Sequence, residues 1–329
     1  MCVSLHPARF SDTTVGAFIG TDGRRYLAYQ NTAANLPSIS GGSAPAVVSS
    51  TARKPVRRGT RRSGGADNWN FEGAVTPKAT GKATATSGNA MILPIPDAVA
   101  NIELIDTTTC PNFLKDIRSA LTPRTRGGLR RGGAADSAKS VRIIEFDVYT
   151  IVIAKNAKDL TKVLKSDAIP AERRPALNDE IIKAYTKWYP NWAIAVCCFN
   201  NTDAKRAKPL LFSYEPTKQT EKDFLFVPTL DAHDGKAPDL NANVDVDHTI
   251  FVSTPDMPDS HGMTVFYSDP EIALGVAELL PRKVTGKVVS GSYRNGDVVF
   301  KCSDLKNGIV RGLRALPPGA PKVDTKEFI

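Results

Sequence analysis

The chain has 329 residues, 41% of them apolar and 23% charged, with a formal net charge of +9. That is the composition of a globular protein of about two domains' length, and it excludes a wholly disordered chain. No apolar run reaches the roughly 18 residues of a spanning helix, and residues 1–12 lack a basic-then-apolar leader, so a cytoplasmic protein with no membrane partner is expected.

The first recognisable unit is a hairpin. Thr14–Gly20 and Arg25–Gln30 flank Asp22-Gly23, a dipeptide that favours the left-handed turn joining two antiparallel strands. A segment over residues 37–88 follows, with eight Lys/Arg against two acids and no leucine. Rich in Gly, Ser, Ala, Thr and Pro, it buries too little apolar surface to offset its ordering entropy, and it reads as a basic insertion. Residues 90–96 form a compact apolar strand whose Pro94 and Pro96 end it or place it at an edge. A short strand at 102–105 precedes a helix carrying Phe113, Leu114, Ile117 and Leu121 on one face.

Residues 122–139 form a second basic segment, with five Lys/Arg against one acid and two Arg-Gly-Gly triplets. The rest of the chain carries −1, so the charge belongs to the two segments and not to the body. Beyond it, Val141–Ala154 reads as one long β-rich stretch with Ile144, Phe146, Val148 and Val152 on one face. Two amphipathic helices follow, the first marked by Leu160, Val163 and Leu164, the second by Leu177, Ile181, Ile182, Tyr185 and Trp188. Residues 192–199 read as a doubly buried strand in which Cys197 and Cys198 are small core residues on opposite faces. Strands are expected near 209–214, 224–231, 244–253, 284–290 and 297–302, with a helix around 270–280. Strands dominate and helices interrupt them, which predicts an α+β fold with a largely antiparallel sheet. Residues 1–36 and 89–302 would form one body, divisible into subdomains near 140, with 303–329 as a C-terminal tail.

The hairpin, the Leu93-Pro94-Ile95-Pro96 strand, the Phe113-Leu114 helix and the run from Tyr149 through Phe199 to Val227-Pro228 together resemble a bacterial family of unknown function. The resemblance implies a fold and no activity. Members of that family are usually exported or lipid-anchored through an N-terminal cysteine, whereas Cys2 here follows no signal peptide.

Candidate chemistry is sparse. In the basic segments, Arg53, Lys54, Arg57, Arg58, Arg61 and Arg62 stand close together, as do Arg124, Arg126, Arg130 and Arg131. Such clusters attract polyanions without sequence preference, and their glycines let the backbone follow a phosphate track. A solvated loop that keeps the protein soluble, or an arm for a protein partner, is the plainer reading. Cys2 would become an N-terminal nucleophile if Met1 were removed, its own α-amine serving as base. N-terminal nucleophile hydrolases of the bile-salt hydrolase type also begin Met-Cys, but they need an Arg/Asp pair nearby, and only Asp22 and Arg24 are at hand, on a turn where solvent is their expected partner. His233, His248 and His261 lie within 29 residues among several aspartates, a ligand chemistry suited to zinc. Strand alternation, however, places His248 with Val246 and Ile250 and away from Asp245 and Asp247. Glu145 and Asp147 would share one strand face near Arg142, and Trp188, Tyr189 and Trp192 fit core packing better than a stacking platform. No phosphate-binding loop, G-x-G-x-x-G, G-x-S-x-G or H-E-x-x-H occurs, and no cofactor is expected. The expectation is therefore a non-enzymatic binding or assembly protein, its basic arms on nucleic acid or another polyanion, within a homo-oligomer or a larger nucleoprotein or virion-type particle. The alternative is a Cys2 hydrolase.

Overall fold

The computed structural model describes residues 3–35, 88–97, 101–122, 141–200, 207–216, 222–270, 272–315 and 317–318. In chain order the elements are β1 (Val3–Ser4), β2 (Ala8–Ile19), β3 (Arg25–Asn35), β4 (Asn89–Ile95), β5 (Glu103–Ile105), α1 (Phe113–Leu121), β6 (Val141–Phe146), β7 (Tyr149–Ala154), α2 (Ala157–Val163), α3 (Asp179–Trp188), β8 (Ala193–Phe199), β9 (Leu210–Tyr214), β10 (Phe224–Val227), β11 (Asn243–Ser253), β12 (Met263–Thr264), α4 (Leu274–Leu279), β13 (Lys283–Arg294), β14 (Asp297–Lys301), α5 (Cys302–Lys306) and β15 (Gly312–Ala315). The strands form a five-stranded sheet β1-β4-β8-β7-β6, a seven-stranded sheet β12-β13-β11-β2-β3-β9-β5 and a three-stranded sheet β10-β14-β15. Pairing within the sheets is antiparallel except for the parallel β2–β11 ladder. This is an α+β fold of mostly antiparallel sheets, as the pattern of strands and helices predicts.

The central strands β4, β7, β8 and β9 of the two larger sheets are buried on both faces, which is why they read as continuous apolar runs. One core lies between them. Met91, Leu93, Ile151 and Cys197 from the five-stranded sheet join Val15, Leu27, Phe212 and Ile250 from the seven-stranded sheet there. The outer face of the five-stranded sheet, with Ile92, Val152 and Cys198, packs under α2 and α3. The outer face of the seven-stranded sheet, with Phe18, Tyr26 and Phe251, packs under Phe113, Leu114 and Ile117 of α1. Cys197 and Cys198 thus point into different cores, and burial pushes the Cys198 thiol up to about 12.

Local signals account for the element ends. Asn178 caps α3, its side chain accepting from the Glu180 and Ile181 amides at 3.1 and 3.2 Å, a contribution of about 1 kcal/mol. Tyr185, Tyr189, Trp192 and Phe226 then run as a chain of ring contacts with centroids 4.7–5.4 Å apart, and all four are buried. Pro94 lies inside β4 opposite Ile194. It is tolerated because β1 reaches only Met91 and Ile92, which leaves the strand with a single neighbour at the proline. Gly16 and Gly286 stand opposite Phe251 on either side of β11. A Cβ on Gly16 would collide with the Phe251 ring and carbonyl, and one on Gly286 with the Ile250 carbonyl, so the backbones flanking β11 come too close there for a side chain.

Two expectations are corrected. Val141–Ala154 is a tight hairpin, because Asp147 takes a left-handed φ of 55° and reverses the chain between β6 and β7. The reversal breaks the expected face: Ile144, Phe146 and Val148 pack on the core between the sheets, whereas Val152 faces α2 and α3. Glu145 and Asp147 consequently share no strand face. Glu145 pairs with Arg173 at 2.7 Å, Asp147 accepts from the Lys208 amide, and buried Arg142 donates to the Ile102 carbonyl. Regular structure also runs past 302, since β15 pairs with β14 and the Arg314 side chain is buried beneath it.

A buried polar hub ties this end together. Asp297 is fully buried and accepts from the Tyr189 hydroxyl at 2.7 Å and from the Thr229 and Leu230 amides at 3.0 and 3.1 Å. Asn295 accepts from the Asp231 amide and donates to the Asp231 carbonyl. The loop after β10 is thereby hydrogen-bonded to the turn before β14, and both carboxylate oxygens of Asp297 are paired.

Candidate functional site

The hairpin of β2 and β3 is longer than the turn signal alone indicates. Ser11 pairs with Thr32 and Thr14 with Gln30, so Asp12 and Thr13 together oppose Asn31. This is a β-bulge. It shifts the side-chain alternation by one: Val15 and Ala17 face the core between the sheets, and on the other side of the bulge Phe10 packs against that same core. Asp12 absorbs the irregularity with a left-handed φ of 53°, a conformation that aspartate tolerates better than most non-glycine residues.

Helix α1 crosses beside this bulge. Its start is anchored by Asp269, which accepts from the Asn112 amide at 3.0 Å and from the Asn112 side chain at 2.8 Å. Asp116 accepts from the Ser268 amide at 2.7 Å, and burial raises its carboxyl above the usual range. With Phe113, Leu114 and Ile117 turned into the core, Lys115 and Arg118 emerge together on the opposite face, three residues apart. Arg118 donates to Asp12 at 3.0 Å. The helix ends at Thr122, which is extended because Pro123 follows it.

Between helix and bulge lies a polar cleft of about 270 Å³ lined by Asp12, Thr14, Gln30, Asn31, Thr32, Lys115 and Arg118. Two cations face one carboxylate, with hydroxyls and amides around them. The arrangement suits an anion with hydrogen-bonding capacity, and it offers neither a nucleophile with a paired base nor a set of metal ligands.

The residues singled out from the sequence are distributed differently. Cys2, Arg53, Lys54, Arg57, Arg58, Arg61, Arg62, Arg124, Arg126, Arg130 and Arg131 lie outside the described residues. Asp22 and Arg24 are not left to solvent: Asp22 accepts from the Tyr26 hydroxyl at 2.7 Å, and Arg24 pairs with Glu103 at 3.0 Å and donates to the Asn101 carbonyl. The three histidines stand in separate settings. His233 meets Asp231 at 2.7 Å and packs edge-on against Phe10, His248 is buried in β11, and His261 meets the Ser260 hydroxyl at 2.8 Å. Among the described residues, no three His, Cys, Asp or Glu side chains are grouped to hold a metal ion. Nor is any helix among them long and apolar enough to cross a membrane.

Sequence reasoning passed over Asp12, Lys115 and Arg118. Two local signals were available: the polar run Ser11-Asp12-Thr13-Thr14 interrupting an apolar strand, and two cations at helical spacing on the polar side of an amphipathic helix. Neither says that the two meet.

No protein-family model and no curated protein sequence matches the chain. Among solved structures it is similar to the crystal structure of baculovirus P35, with 13% identity and a TM-score of 0.40 over 92% of both chains. It is also similar to a mutated baculovirus P35 after caspase cleavage, with 11% identity and a TM-score of 0.39 over 88% of this chain and 97% of that one. Likeness at this level carries no argument about what the present chain does.

Proposed function

We propose that this chain is a non-enzymatic binding or assembly protein that holds a polyanion, nucleic acid foremost, with its two Arg/Gly-rich segments. The observation that supports this reading is the position of the cleft along the chain. Thr32 and Arg118 are opposite walls of one polar cleft. Three residues beyond Thr32, β3 ends, and the first basic segment begins two residues later; four beyond Arg118, the second begins. At about 3.4 Å per strand residue and 1.5 Å per helical residue, the end of β3 lies roughly 10 Å, and the start of the second segment roughly 6 Å, from the cleft along the chain. A body whose remaining charge is −1 thus presents Lys115 and Arg118 close to where the chain leaves β3 and α1 towards the two segments. Such a protein would act in the cytoplasm or within a nucleoprotein or virion-type particle, as a homo-oligomer or with other subunits.

The test is a filter-binding titration of single- and double-stranded oligonucleotides across salt. Four to six engaged phosphates would lower log K by about 0.9 each per unit log salt on duplex and about 0.7 on single strands. Replacing Arg57, Arg58, Arg61 and Arg62 with Ala should remove roughly two to four units of that slope, and the second set should do likewise. Binding that survives loss of all eight arginines (Arg124, Arg126, Arg130 and Arg131 being the others) unchanged would overturn the reading.

A further inference from the structure

We infer that the cleft between α1 and the β2 bulge seats one phosphate group, and that Asp12 is a built-in competitor which the ligand displaces from Arg118. The inference rests on the polyanion reading and names the group that the body itself contacts.

The bulge is the first argument. It costs a regular ladder position and puts a non-glycine residue at a φ of 53°, and what that arrangement delivers is a carboxylate aimed at a guanidinium. Stability is a poor explanation for it. The Asp12 and Arg118 side chains are 66% and 33% exposed, and an ion pair in that setting contributes little. Irregular backbone that gains little stability is found more often beside binding sites.

The donor set is the second argument. Among the residues that line the cleft, Lys115 and Arg118 are two cations against the single carboxylate of Asp12. Thr14 and Thr32 line the same cleft and bring hydroxyl groups to it, whereas the Gln30 amide is committed to the Ala207 carbonyl at 2.9 Å. A guanidinium, an ammonium and hydroxyl donors match a tetrahedral oxyanion. The cleft, about 270 Å³ and open to solvent on one side, has room for a phosphate group.

Competition makes the two partners behave oppositely, which a structural ion pair would not do. The experiment uses the full chain with the eight arm arginines changed to Ala, so that the arms do not bind the probe, and titrates it with inorganic pyrophosphate in a calorimeter at low salt. Asp12→Asn keeps a residue suited to the left-handed conformation and removes the competitor, so affinity should rise about threefold. Arg118→Gln should weaken it about tenfold. Lys115→Gln, at an exposed position, should also weaken it, and it replaces Arg118→Gln as the decisive variant if that one fails to fold. Unchanged or weaker binding in Asp12→Asn overturns the inference, as does unchanged binding in Lys115→Gln. The outcome separates from that of the arms. Loss of the oligonucleotide salt slope with pyrophosphate affinity indifferent to Asp12 sinks the cleft alone; an oligonucleotide slope indifferent to all eight arginines sinks the arms.

Discussion

Asp297 offers the sharpest test of how the body is held together. Its carboxyl is fully buried, and burial raises its pKa from 3.8 to about 6, although the hydrogen bonds from Tyr189, Leu230 and Thr229 and the charge of Arg314 pull the other way. A raised folded-state pKa means that the native protein holds the proton more tightly than the unfolded chain. Asp297 therefore favours folding most below pH 3.8, and that contribution is lost as pH rises through about 6. At about 1.4 kcal/mol per unit, the loss amounts to about 3 kcal/mol. Asp297→Asn keeps an acceptor for the Thr229 and Leu230 amides and cannot ionise. Relative to the unsubstituted chain, it should gain stability progressively between pH 4 and pH 6.5. Asp297→Ala instead strands a buried hydroxyl and two buried amides, at a cost of about 3–5 kcal/mol. Trp192, whose ring lies 5.4 Å from that of Tyr189, reports on the region, so urea denaturation followed by tryptophan fluorescence at several pH values is the assay. Differences between Asp297→Asn and the unsubstituted chain cancel the titration of other carboxylates. A constant difference across that pH range, or an Asp297→Ala variant within 1 kcal/mol of the unsubstituted chain, would refute the reasoning.

Two further outcomes are expected. Gly16→Ala should lower stability by about 2 kcal/mol in thermal denaturation, because its Cβ meets the Phe251 ring and carbonyl; an unchanged transition would mean that Phe251 moves aside freely. Cys110 and Cys198, both buried with thiols pushed up to about 12, should resist a thiol-specific reagent at pH 8 until denaturant is added; peptide mapping that finds either labelled in the native protein would contradict their packing.

Much of the architecture follows from local rules that the residues carry with them. Asp22-Gly23 turns the first hairpin in a three-residue loop that ends on Gly23 at a left-handed φ of 79°, which glycine adopts without steric cost. The run from Ala193 to Phe199 has no polar residue to place in water, so it is a strand covered on both faces. Ile181, Ile182, Tyr185 and Trp188 recur at the helical period, and α3 buries those four. These signals act over a few residues, where period and turn chemistry decide the outcome. Single backbone irregularities are harder to see, since alternation alone does not reveal where it breaks: Asp147 converts an expected stretch into a hairpin, and Asp12 shifts a strand's alternation by one residue. The contacts that give the cleft and the buried hub their character lie further still from local rules. Arg118 reaches Asp12 across 106 residues of chain, and Tyr189 reaches Asp297 across 108. Which helix crosses which strand depends on how the two large sheets stack and which faces they leave for α1, α2 and α3. That is a property of the whole packed core, and only the tertiary structure decided it.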